Sequence, residues 1–291
     1  MSMLLRVVAM LGLLAAKEDR FAEDLLRRFR AALPGHTLTL EAGDMILVDG
    51  RDDWRANLAR LRKSCQASSK ADCEASKRAF VQAMTEKPVF TPERLRVIVR
   101  DVEWVEGFGE KPGSNDAALI LRPIGDDLYA VLASEQERSV ATVSRRRLQE
   151  MGLESRTAWS RARKQTDATL PALPTADQVR QGLVVFEGHE FGATLLTRKT
   201  AWRRLSAAVG PDMIVTVVSD HLVLVGVKPD GPDLVSFEKV VADDCEQQER
   251  CISPHVYRFR EGRWVVAGEQ PPGPPPQPTV EPYAGNVAPP A

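Results

Sequence analysis

TAWRRLSAAVGPDMIVTVVSDHLVLVG, residues 200–226, decides how this chain folds. Trp202, Leu205 and Val209 recur at helical spacing. Gly210-Pro211 ends that helix. A β-branched strand, a two-residue turn near His221 and a second strand follow, which is a hairpin pattern. Residues 24–49, DLLRRFRAALPGHTLTLEAGDMILVD, carry the same pattern and align with it without a gap. Arg27-Arg28 falls on Arg203-Arg204, Phe29 on Leu205, Leu33 on Val209, and Asp44 on Asp220. Two helix–hairpin units therefore frame the chain. Duplication explains them, and so does convergence, because Ala-rich helices and Val/Leu hairpins are common.

The segments between the units follow the same logic. Trp54–Lys63 and Asp72–Met84 are helical in period, with a Ser68-Ser69 break between them. Leu95–Val105 reads as a strand, and Ala117–Leu121 with Leu128–Ala133 as a hairpin. Ser144 and Ser155 are placed to cap two short helices. Gly182–Phe186 reads as a strand, and Val256–Phe259 with Arg263–Val266 as a terminal hairpin. Asp233–Val241 suits either helix or strand. Hairpins outnumber any βαβ crossover, so the expected class is α+β with mainly antiparallel sheet. Pro171–Pro174 is the expected boundary between an N-terminal α+β part, 17–170, and a C-terminal α+β part, 175–268.

The totals bound the rest. The chain has 291 residues, 43% apolar and 27% charged, with a net charge of −1. That is enough to build one large core or two small ones, and it makes no global electrostatic case for nucleic acid. Nine of the 20 prolines lie between Pro271 and Pro290, so 269–291 reads as a disordered, polyproline-prone tail. Residues 1–16 have the shape of a short signal peptide, one cation and then an apolar run. That run is too short to span a membrane. The competing reading is an amphipathic first helix.

Four cysteines form two local pairs, Cys65 with Cys73 and Cys245 with Cys251. Their spacings suit neither CxxC redox chemistry nor zinc knuckles. Disulfides are expected if the protein is exported, and reduced thiols if it is cytosolic. Cys65–Cys73 carries a geometric condition. Eight residues of unbroken helix separate their ends by about 12 Å, whereas a disulfide needs Cα atoms within about 7 Å. The bond therefore requires the helix to break at Ser68-Ser69.

The most reactive-looking stretch is Glu187–Gly192, where His189 stands between Glu187 and Glu190 on a Gly-bounded loop. Such a group can serve as base, acid or ligand, yet the second histidine of a zincin helix is replaced by Ala193. A solvated loop is the bland alternative. Asp126-Asp127 and Asp243-Asp244 read as turn formers. Arg145, Arg146, Arg147, Arg156, Arg161, Arg163 and Lys164 make a basic stretch that could grip phosphate, or lie over apolar neighbours as solvated stems. No metal-ligand set, phosphate loop, dinucleotide fingerprint or nucleophile elbow is present, so the expected cofactor and metal are none.

Leu128–Leu173, LYAVLASEQERSVATVSRRRLQEMGLESRTAWSRARKQTDATLPAL, is a strand, a Ser/Val turn, a helix ending in Met-Gly-Leu, and a helix with a Leu-Pro stop. It resembles the middle of the bacterial YtpQ-like proteins, a domain of unknown function. Asp53–Met84 and Phe191–Val225 resemble other segments of that family. The resemblance implies no reaction and carries over no catalytic residue. The cysteines, the signal-like start and the proline tail depart from it. The sequence thus points to a non-catalytic binding or interaction protein with an unidentified protein or peptide partner, exported or at the cell envelope. The alternatives are an enzyme acting near Glu187–Gly192 and, more weakly, nucleic-acid binding through the basic helices.

Overall fold

Phe21, Leu25, Leu26 and Phe29 lie along one side of the first helix, α1 (20–32), and Leu25 and Phe29 are fully buried. The computed structural model describes residues 20–41, 44–49, 55–106, 118–137, 139–248 and 251–268. The signal-like start, Trp54 and the proline tail fall outside those residues.

After α1 come β1 (Leu38–Glu41), β2 (Met45–Val48) and β3 (Arg55–Asn57), an antiparallel sheet in that order. The helix expected over Trp54–Lys63 is thus partly a strand. Its backbone pairs with β2, and the Asn57 side chain accepts from Ala59 N–H at 2.9 Å to open the helix that follows. That helix, α2 (Ala59–Ala67), and α3 (Lys70–Thr85) make a helical hairpin. Ser68 and Ser69 are both extended, and the Ser69 hydroxyl caps α3 by accepting from Asp72 N–H. The chain therefore breaks where the Cys65–Cys73 disulfide demands, with Cα atoms 4.7 Å apart. Ile46, Val48, Leu58, Leu61 and Val81 join the α1 residues in a core of their own.

A second and larger core takes in most of the rest. β4 (Leu95–Asp101) pairs with β6 (Leu128–Glu135), whose other side carries β5 (Leu121–Pro123) and β7 (Val140–Thr142) in tandem. Only Leu95–Asp101 of the expected Leu95–Val105 strand is extended. Asp101 accepts from Trp104 N–H at 2.8 Å and turns the chain into α4 (Val102–Glu106). Then come α5 (Arg145–Glu150), α6 (Ser155–Asp167) and α7 (Ala176–Gln181). Ser144 caps α5, but Glu154 rather than Ser155 stands at the α6 N-cap, and its side chain makes no capping bond.

The remaining strands are β8 (Val184–Glu187), β9 (Met213–Ser219), β10 (Leu222–Val227), β11 (Val256–Arg260) and β12 (Arg263–Val266). They form an antiparallel sheet in the order β12-β11-β9-β10-β8. Between β8 and β9 lies α8 (Lys199–Val209), and between β10 and β11 lies α9 (Pro232–Gln247). The ambiguous Asp233–Val241 segment is therefore helix. The fold is α+β with antiparallel sheets, as its hairpins implied.

The large core does not divide at Pro171–Pro174. Val97, Leu132 and Trp159 before that segment share one buried cluster with Trp202, Val215 and Trp264 after it. The cores separate instead between α3 and β4. The two helix–hairpins also differ in register. Leu38 faces Val48, whereas its aligned equivalent Ile214 faces Gly226 rather than Leu224. The tight Asp220-His221 turn shifts the second hairpin relative to the first.

Candidate functional site

β8 is an edge strand whose alternation decides what it exposes. Val184 and Phe186 point into the large core. On the other face Val185 sits opposite Leu224, and the Leu183 side chain lies over Gly226, where an added methyl would stand 3.0 Å from Leu183 Cδ1. Leu183 and Val185 are 49% and 50% exposed, high values for large apolar side chains on a sheet. Their neighbour on this face, α9, covers β9 and β11 instead. Its Leu234, Val241 and Cys245 pack against Ile214, Val218 and Val256. Among the described residues no strand pairs with the outer edge of β8.

The Glu187–Gly192 loop leaves the end of this edge. Gly188, at φ 77°, supplies the left-handed turn. Its N–H donates to the His221 carbonyl at 3.1 Å, and Ala193 N–H donates to the Asp220 carbonyl at 3.3 Å. Gly192 N–H closes back on the His189 carbonyl at 2.9 Å. A Cβ at Gly192 would stand 2.9 Å from the Asp220 oxygen. Phe191 is buried against Ile98, Val131 and Ala133. The loop is therefore pinned to the β9–β10 turn rather than flexed by its glycines. Asp220 is held in turn by Arg100, 2.9 Å away. Glu187 and Glu190 are exposed and His189 is half-buried. The structure brings the three together as a rim at the end of an edge strand, and neither of two grooves beside α5 and α6 is lined by them.

A second polar constellation was not legible as a site. Asp126 and Asp127 sit in the β5–β6 turn, but they do more than form it. Asp126 accepts from Arg263 at 2.8 Å and from Val266 N–H at 3.2 Å. Asp127 accepts from the Tyr257 hydroxyl at 2.8 Å, and that hydroxyl lies 2.5 Å from Ser253 Oγ. His255 Nε2 is 3.9 Å from Asp127. Burial pushes the Asp127 carboxyl up, against the opposing hydrogen bond from Tyr257. Burial, reinforced by the Asp127 charge, also pushes the Tyr257 phenol well above its ordinary range. Tyr257 is thus a fixed donor. Ser253 is fully buried and out of reach of a substrate. The group fastens the two sheets together. Its one sequence signal is the alternation Ser253, His255, Tyr257, which puts all three on one side of an extended segment. Asp127 lies far away in sequence.

Cys245 and Cys251 are bonded, with Cα atoms 5.1 Å apart. The link ties the end of α9 to the segment entering β11, which carries Ser253, His255 and Tyr257. The basic stretch is partly neutralised. Arg147 pairs with Glu150, Arg161 with Glu93 and Arg163 with Asp167. Among the described residues, no three His, Cys, Asp or Glu side chains gather as a metal site, and no helix is long and apolar enough to cross a membrane. Compared with protein-family models, curated proteins and solved structures, the chain matches none.

Proposed function

We propose that this is a non-catalytic binding protein that takes an extended segment of a partner protein as an added strand on β8. One observation carries the reading. β8 is a bare edge with Leu183 and Val185 half-exposed beside it. Unpaired strand edges recruit further strands, and proteins usually blunt them with Lys, Pro or a bulge. Leu183–Phe186 contains none of these residues. The added strand gains main-chain hydrogen bonds from the edge and pockets for alternate side chains from the face. Glu187 and Glu190 at the strand's end favour a basic residue on the bound segment. The proline tail is a poor occupant, because proline has no N–H to give the ladder.

The test is a peptide of alternating valine and threonine flanked by lysines, titrated into the protein while amide exchange is followed. Binding should slow exchange in residues 184–187 and vanish when proline replaces alternate peptide residues. A peptide that binds without protecting β8 would refute the reading. Self-association abolished by Val185→Lys would reassign the edge to a contact between copies.

Two further readings belong to the proposal. The element order of Leu128–Leu173 supports kinship with the YtpQ-like proteins, and that kinship brings no reaction with it. The two disulfides support export to an oxidising compartment, where such bonds persist. Thiol titration of freshly isolated native protein tests this, and four free cysteines would refute it.

A further inference from the structure

A groove of about 580 Å³ lies between β5 and the α5–α6 turn, on different elements from the β8 edge. Leu119, Leu148, Leu153 and Trp159 give it an apolar floor, while Arg122 and Arg145 stand at its polar side. No acidic residue lines it. Both arginines are exposed, and neither has a carboxylate partner among the described residues. Arg147, Arg161 and Arg163 on the same two helices do have one. The Arg122 guanidinium is held 4.6 Å over the Trp159 ring, which orders it at the mouth of the groove. The volume falls in the range of small-molecule sites, and the lining mixes these apolar side chains with Arg122, Arg145, Gln149 and Ser155.

We infer that this groove binds a small organic carboxylate with a hydrocarbon body. The charge of the site selects an anion, and guanidinium matches carboxylate geometry in a bidentate pair. The floor selects the hydrocarbon, because burying apolar surface there adds to affinity. Arg122 and Arg145 take the carboxylate. Leu148, Leu153 and Trp159 take the chain. Arg122 keeps its place through the Trp159 ring, so part of its ordering cost is met before the ligand arrives.

Calorimetric titration of the full chain with decanoate, decanol and acetate tests the inference. Decanoate should bind at least about tenfold more tightly than decanol, the worth of a charge-assisted hydrogen bond. Acetate, lacking the hydrocarbon, should not bind measurably. The double variant R122Q/R145Q should lose at least about tenfold in decanoate affinity and leave decanol unchanged. R156Q/R161Q, on the outer face of α6, makes the same change in net charge and should leave both ligands unaffected. Unchanged circular dichroism in each variant separates loss of the site from loss of the fold. Equal binding of decanoate and decanol would overturn the inference. So would absence of decanoate binding, or equal losses in the two double variants.

Discussion

Gly125→Ala tests whether the two larger sheets share one core. Gly125 forms an isolated parallel bridge with Trp264. A Cβ there would stand 2.7 Å from the Trp264 carbonyl oxygen and 2.8 Å from Trp264 Cβ. Neither atom can rotate away, so the β5–β6 turn must retreat from β12. Overpacking of this kind costs about 1–3 kcal/mol. Retreat also stretches Asp126 N–H to the Trp264 carbonyl, 2.9 Å, and Trp264 N–H to the Ile124 carbonyl, 3.1 Å. At about 1 kcal/mol for each weakened bond, the total comes to about 3–5 kcal/mol. Gly182→Ala is the control. An added Cβ meets nothing within 4 Å, and φ of 166° is extended backbone open to any residue. It should be neutral or stabilise by up to about 1 kcal/mol through the unfolded chain. Urea unfolding followed by tryptophan fluorescence and circular dichroism measures both. A Gly125→Ala cost below about 1 kcal/mol would refute the packing argument. Loss of residues 175–268 alone, with 88–170 still folded, would refute the shared core.

Leu183→Lys with Val185→Lys should abolish binding of the alternating peptide yet change stability by less than about 0.5 kcal/mol, since both side chains are half-exposed; titration and thermal melting check the pair. Replacing Cys245 and Cys251 by serine should cost about 2 kcal/mol, the loop entropy of a short closure, with faster amide exchange concentrated in 251–257. The pH dependence divides by core. Burial opposes ionisation of Asp24, but hydrogen bonds from Lys77 and Arg28 outweigh it and hold its carboxyl low. Glu74 is held low by Arg28 and Lys77. That stability is present above about pH 4 and lost as pH falls through the depressed values, so the 20–85 core should open first in acid by exchange measurements. Asp127 is raised by burial, so its contribution is present in acid and lost as pH rises through the raised value. Asp127→Asn should remove that loss, visible as a smaller fall in melting temperature between pH 3 and pH 7.

Local pattern carried much of the architecture. Period and punctuation placed α8, both strands of each hairpin unit and the Ser68-Ser69 break. Arithmetic made that break the condition for a Cys65–Cys73 bond, because an unbroken helix holds the two cysteines too far apart. What failed was competitive locally. Trp54–Lys63 has helical spacing, but Ala56 is buried where it pairs with Ile46 of β2, a contact that helical period does not register. Asp233–Val241 was undecidable until its apolar residues found β9 and β11.

By itself, the sequence determined the class, which cysteines lie close enough along the chain to pair, and the address of the Glu187–Gly192 loop, because these depend on neighbours a few positions apart. Only the tertiary structure decided that β8 is an edge, that the loop is pinned to Asp220 and His221, and that Asp127 receives Tyr257. Strand order and sheet-to-sheet docking are set by burial summed across the whole chain. The opening stretch, residues 200–226, shows both limits. Its helix and hairpin were readable. Its register was not, because the turn that shifts it is judged by the strands on either side.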